Sequence, residues 1–165
     1  ARITTTLTQL GLDIVDARII TTRAGRTLDT FLVLESMGHK VEPGFRVDEI
    51  RDTLRERLLD PECNYHAVHR TLPRRLKHFD VATAIEFAPG APGTTTRMQV
   101  RALDRPGLLS TIGCVFAEQG INVTTARINT AGEQAEDLFL LYNADGRALT
   151  PEQQDALRTR LIEEI

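Results

Sequence analysis

Apolar side chains at Leu108, Leu109, Ile112, Val115 and Phe116 follow the i, i+1, i+4, i+7, i+8 spacing that gathers on one face of an α-helix. Gly120 closes this segment, because glycine adopts the left-handed conformation of a helix C′ position at low cost. Upstream, Thr95 to Leu103 (TTRMQVRAL) alternates and reads as a strand. Downstream, Ile121 to Thr130 is rich in β-branched residues and reads as a second strand, with Gly132 in the turn after it. Leu138 to Asn143 forms a third, and NADG at 143–146 a turn. Thr150-Pro151-Glu152 then carries the marks of a helix start, with Thr as N-cap, Pro at N1 and an acid in the first turn. Leu157, Leu161, Ile162 and Ile165 supply the apolar face of that last helix. The order is β-α-β-β-α.

The chain states this pattern twice. Gly11 aligns with Gly120 and Ala17-Arg18-Ile19 with Ala126-Arg127-Ile128 at an offset of 109 residues, and Asp29-Thr30-Phe31 matches Asp137-Leu138-Phe139 at 108. Such self-similarity argues for a tandem pair of one unit. The first copy continues α-β-β-α to about residue 60, ahead of a strand at about 79–88. A β-α-β-β-α-β order is the split βαβ, ferredoxin-like arrangement. The expected fold is therefore α+β, with two βαββαβ modules whose antiparallel sheets carry helices on one face. Residues 1–78 form the first module, lacking its first strand and ending in a basic connector at about 61–78. Residues 79–165 form the second, and the strand at 79–88 is open to assignment to the first. In both copies the apolar phase switches within the middle strand, from Leu12 and Ile14 to Val15, Ala17 and Ile19 in the first. A shared β-bulge accounts for this, and so does a misplaced strand boundary.

Composition narrows the chemistry. The chain has 165 residues, 41% apolar and 26% charged, ordinary values for a globular protein. A net charge of −3 gives nucleic acid or an acidic membrane no particular attraction. No apolar run is long enough to span a membrane and no signal peptide is visible, so a cytoplasmic location is expected, with Cys63 and Cys114 as reduced thiols. Phosphate-binding glycine loops and the nucleophile elbow are absent from the sequence. Cys63, His66 and His69 present three metal-ligand types in seven residues, yet lack a defined fourth and follow Pro61 in a connector. Arg70, Arg74, Arg75, Lys77 and His78 form a basic run that suits an acidic partner or a solvated linker. His39 lies in a turn-like stretch. An RNA-binding version of this fold would stack bases on strand aromatics, and Phe31 and Phe139 stand alone in theirs.

LDRPGLLSTIG at 103–113 is the segment richest in chemistry. Arg105 precedes a proline and is pushed toward extended backbone, so the helix should begin near Pro106 or Gly107. Amide N–H groups around 107–109 would then face outward and favour an anion. Asp104 can cap these amides or accept a hydrogen bond from a ligand's ammonium group. A ligand that wants both an acid and exposed N–H donors is a free α-amino acid. The alternative is a helix cap and a packing glycine with no ligand.

DRPGLLSTIGCVFAEQGINVTTARI resembles the signature of ACT domains, small regulatory modules that pair and bind amino acids. DARIITTRAGRTLDTFLVLE, PRRLKHFDVATAIEF and the second copy ending in NADGRALT resemble, in that order, the C-terminal tandem ACT region of the uridylyltransferase/uridylyl-removing family. The resemblance implies a region that senses glutamine and favours removal of UMP from the PII signal protein over its addition. It places ligand contacts at Asp104, Arg105, Pro106, Gly107, Leu108, Leu109 and Asn122, with Asp13 standing where the first copy would have Asn122. The implied catalytic domains, with their Mg²⁺, lie outside this chain, so no catalytic residue and no cofactor is expected within it. Expected partners are an amino acid, the parent's catalytic domains and PII. Rival readings are a free-standing tandem ACT regulator, the regulatory tail of another amino-acid-controlled enzyme, and an oligomerisation module that binds nothing.

Overall fold

A computed structural model describes residues 1–22, 26–35, 38–60, 81–90 and 93–165. The candidate ligands Cys63, His66 and His69, the basic run from Arg70 to His78, and the expected module boundary at 78/79 lie outside the described residues. The described elements are α1 (Arg2–Gln9), β1 (Leu12–Thr21), β2 (Thr27–Glu35), α2 (Phe45–Leu59) and β3 (Ala84–Pro89). They continue as β4 (Thr96–Leu103), α3 (Leu108–Glu118), β5 (Asn122–Ala131), β6 (Gln134–Tyr142) and α4 (Pro151–Glu164).

All six strands join one antiparallel sheet in the order β2-β1-β5-β6-β4-β3. The β5-β6-β4-β3 half has the neighbours of a ferredoxin-like module, and β2-β1 is the matching pair from the first copy. The two copies meet where β1 pairs antiparallel with β5, from Asp16↔Asn129 to Ile20↔Thr125. Equivalent strands thus face each other across a pseudo-two-fold axis. The strand at Ala84–Pro89, which sequence order left open, pairs with β4 in the second copy's half, from Ala84↔Arg101 to Pro89↔Thr96.

Alternation decides which face the helices cover. Along β4, Thr96, Met98, Val100 and Ala102 are buried, whereas Arg97 and Gln99 face outward. The buried positions meet Ile112, Val115, Phe116, Leu157 and Leu161, with Phe116 set edge-on to Phe139 at 5.3 Å between ring centroids. Leu157 and Leu161 are both 0% exposed, whereas Ile162, expected on the same face, is 54% exposed. One residue beyond Leu161 is a 100° rotation about the helix, which is enough to leave the stripe. Thr150 and Gln153 build a capping box at the start of α4, each side chain accepting from the other's backbone N–H. In contrast, α2 has no buried residue and leaves Phe45, Val47, Leu58 and Leu59 exposed, because among the described residues its own copy offers two strands as floor where α4 has four.

The phase switch in the middle strands is a real bulge. Register slips between Ile14 and Asp16 in β1 and between Val123 and Thr125 in β5. The extra residues, Val15 and Thr124, are again 109 apart, so the repeat preserves the irregularity itself. Strand β6 begins at Gln134, four residues before the sequence pattern placed it. The tight turn at Gly132 carries the ladder straight across from Ala131↔Gln134, and the buried positions Ala135 and Asp137 include an acid that interrupts the apolar signal. The helices also pack across the copies. In the layer between α1 and α3, Thr5 Oγ1 lies 2.9 Å from Ser110 Oγ, both buried, with Gly113 giving Ala1 and Thr4 room to approach.

Candidate functional site at the mouth of α3

Strand β4 runs out at Leu103, opposite Gln134, and the Asp104 N–H is held by the Glu133 carbonyl at 2.9 Å. The loop is thereby pinned to the β5–β6 turn at one end of the sheet. Arg105 donates to the Glu164 carbonyl near the end of α4, where carbonyls lack intrahelical partners. Burial lowers the proton affinity of its guanidinium, and the Glu164 carboxylate opposes that shift. Arg105 therefore ties the loop to α4.

Gly107 is the N-cap of α3, in the left-handed region at φ 90°, and as a glycine it supplies no side-chain cap. The helix thus begins at Leu108, just past Pro106 and Gly107, because the glycine turn takes the N-cap position. Leu108 N–H bonds the Arg105 carbonyl at 3.1 Å and Thr111 N–H the Gly107 carbonyl at 2.9 Å. Between them, the N–H groups of Leu109 and Ser110 meet no acceptor among the described residues. Leu108 is buried in the core, Leu109 packs against its edge, and Asp104 through Gly107 are half-buried. Of the seven residues the resemblance picked out, six are therefore contiguous around one helix mouth.

Asn122 is not among them. It is exposed, pairs with Tyr142, and begins the ten-residue β5 whose far end leads into the turn that holds Asp104. At about 3.3 Å per residue the length of the strand, about 30 Å, separates the two. Because β1 and β5 run antiparallel, it is the start of β1, with Asp13, that lies at the end of the sheet where Asp104 stands. Antiparallel pairing exchanges the ends of equivalent strands, so Asp13, the repeat equivalent of Asn122, stands at this end of the sheet.

One acid in this region was not singled out from sequence. Asp137, on β6 opposite Val100, is 1% exposed and turned toward the helix layer. The β5–β6 ladder passes from Arg127↔Leu138 to Thr130↔Ala135, and within that gap Asp137 accepts the Asn129 N–H. Its Oδ1 has no hydrogen-bond partner. Burial pushes its pKa up to about 7, the Asn129 N–H pulls it down, and the nearby Asp104 carboxylate adds to the rise. The repeat match of Asp29 with Asp137 was the available signal, and Asp29 Oδ1 is likewise buried without a hydrogen-bond partner. Among the described residues no group of histidine, cysteine and acidic side chains is arranged to hold a metal ion.

A small α+β module whose middle strand pairs with the equivalent strand of its own repeat is the architecture of a paired βαββαβ domain. Residues 96–152 match the ACT domain, so the chain contains an ACT domain. Over nearly its whole length the chain is similar to bacterial proteins described as bifunctional uridylyltransferase/uridylyl-removing enzymes. That of Photobacterium profundum is 42% identical over 94% of the chain, and that of Pseudomonas entomophila 39% over 96%. That of Aliivibrio fischeri is 38% identical over the full chain. The chain spans only 18–19% of the length of these curated relatives. No solved structure matches it. Among the described residues no helix is long and apolar enough to cross a membrane.

Proposed function

We propose that the chain is the regulatory region of a bifunctional uridylyltransferase/uridylyl-removing enzyme and that the mouth of α3 receives an amino acid, glutamine. The observation that carries this reading is the mouth itself. Two adjacent N–H groups without acceptors among the described residues, at the positive end of α3, stand beside a carboxylate of the preceding loop. The pair of N–H groups suits the ligand's α-carboxylate. Asp104 suits its ammonium, and a phosphate would meet Asp104 as a like charge. Similarity, over 94–100% of this chain, to part of the proteins described as bifunctional uridylyltransferase/uridylyl-removing enzymes supplies the setting. In that setting the sensed amino acid reports nitrogen supply, and occupancy shifts the parent between modifying PII and restoring it. Nucleotidyl transfer and its Mg²⁺ fall to the parent's other domains.

Calorimetric titration of the chain with glutamine, against serine and threonine as controls, tests the reading. Glutamine is expected to bind and the controls to bind at least tenfold more weakly. Asp104→Ala should weaken glutamine binding while circular dichroism shows the fold retained. Equal weak binding of all three amino acids would overturn the glutamine assignment.

A further inference from the structure

We infer that Asp137 is the buried acceptor for the ligand's ammonium group, placed beneath the mouth of α3 and acting together with Asp104. The inference rests on the reading of that mouth as an amino-acid site and adds a residue that reading did not contain.

A carboxylate that is 1% exposed and has an oxygen without a partner is costly, and buried polar atoms rarely go unbonded. Asp137 does not lie there by chance of one strand's register. Asp29, its equivalent in the first copy, is only half-buried and lies near the N-terminal ammonium, yet it too keeps an oxygen without a hydrogen-bond partner. Among the described residues no cation acts on Asp137. On β4 the residue opposite is Val100, β5 offers only the Asn129 N–H, and the core side chains of α3 here are Leu108 and Ile112. Asp104 is the charged group that acts on Asp137, and it has the same sign. The Asp104 carboxylate raises the cost of ionising the buried Asp137, and an ammonium group at the mouth would lower it. The ligand best suited to both halves of this mouth carries its own ammonium next to its own carboxylate. The carboxylate goes to the N–H groups of Leu109 and Ser110, and the ammonium to the two aspartates. An α-amino acid is thereby distinguished from a simple carboxylic acid of the same length.

The experiment compares glutamine with glutaramic acid, which is glutamine without its amino group, by calorimetry on the intact chain. Wild type is expected to prefer glutamine by tenfold or more, and Asp137→Asn to bind glutamine at least tenfold more weakly and to lose that preference. A variant that keeps the full preference overturns the role of Asp137 while leaving the amino-acid site standing. Failure of wild type to bind either compound overturns the sensing reading itself. The pairing of the acids is then decided without ligand, by following the Asp137 carboxyl carbon by NMR across pH. Asp104→Asn should move its titration to lower pH, and an unmoved titration overturns the inference. The same measurement serves should Asp137→Asn fail to fold.

Discussion

At Asp137 a carboxylate has one oxygen on the Asn129 N–H, the other unpaired, and a second acid nearby. A carboxyl whose pKa is raised on folding holds its proton more tightly folded than unfolded. Between its ordinary value of 3.8 and the folded value of about 7, the unfolded chain binds fewer protons, so rising pH favours unfolding. The contribution is absent below about pH 4 and complete above about pH 7, where its full size is on the order of 4 kcal/mol. Asp137→Asn should match wild type in stability near pH 4 and exceed it increasingly up to pH 7. Urea unfolding at a series of pH values measures this, and a difference that stays constant from pH 4 to pH 8 would refute it. Stability is therefore given up at the residue assigned to the ligand, as is common where a site is built from strained or unsatisfied groups.

Most elements were legible before the structure because their signals are local. The 3.6-residue stripe of α3, the Thr-Pro start of α4 and the β-branched run of β5 each state a backbone preference within one segment. The phase switch in the middle strands was legible too, and its repetition in both copies separated a bulge from a misplaced boundary. What remained hidden depended on pairing between distant strands. The start of β6 was masked by the buried Asp137, the fate of Ile162 by one helical step, and the place of Asp13 by the direction in which β1 meets β5. That junction also sets Arg18 directly across from Arg127, both exposed and without an ion pair among the described residues. Like charges directly opposed across strands are destabilising. Arg127→Glu should turn this repulsion into a cross-strand pair and stabilise the fold by about 0.5–1 kcal/mol. Added salt should stabilise wild type more than the variant, because screening relieves repulsion and weakens attraction. Thermal unfolding at low and high salt checks both statements, and loss of stability in the variant at low salt would refute them.

Across the whole molecule the first copy depends on the second. Its fully buried apolar side chains among the described residues are Leu7, Leu12 and Ala17, while the second copy's core runs from Met98 to Leu161. Two strands alone are marginal in water, and β1 gains its second neighbour from β5. Helix α1 likewise leans on α3 through Thr5 and Ser110. The six-stranded sheet should therefore unfold as one cooperative unit, with no stable state in which only the first copy remains folded. Leu157→Ala, at a site 0% exposed in the second copy, should cost about 2–5 kcal/mol through lost burial and a cavity. If the sheet is one unit, hydrogen exchange at Ala17 and Ile19 in β1 should lose the same protection as exchange at Phe139 and Leu141 in β6. Unchanged protection in β1 would show two independent units. Such coupling bears on regulation directly, because a ligand that braces the mouth of α3 then stabilises the strand it shares with the other copy. Binding at one end of the sheet would be felt at β2, on its far edge, through the continuous ladder from β4 to β1.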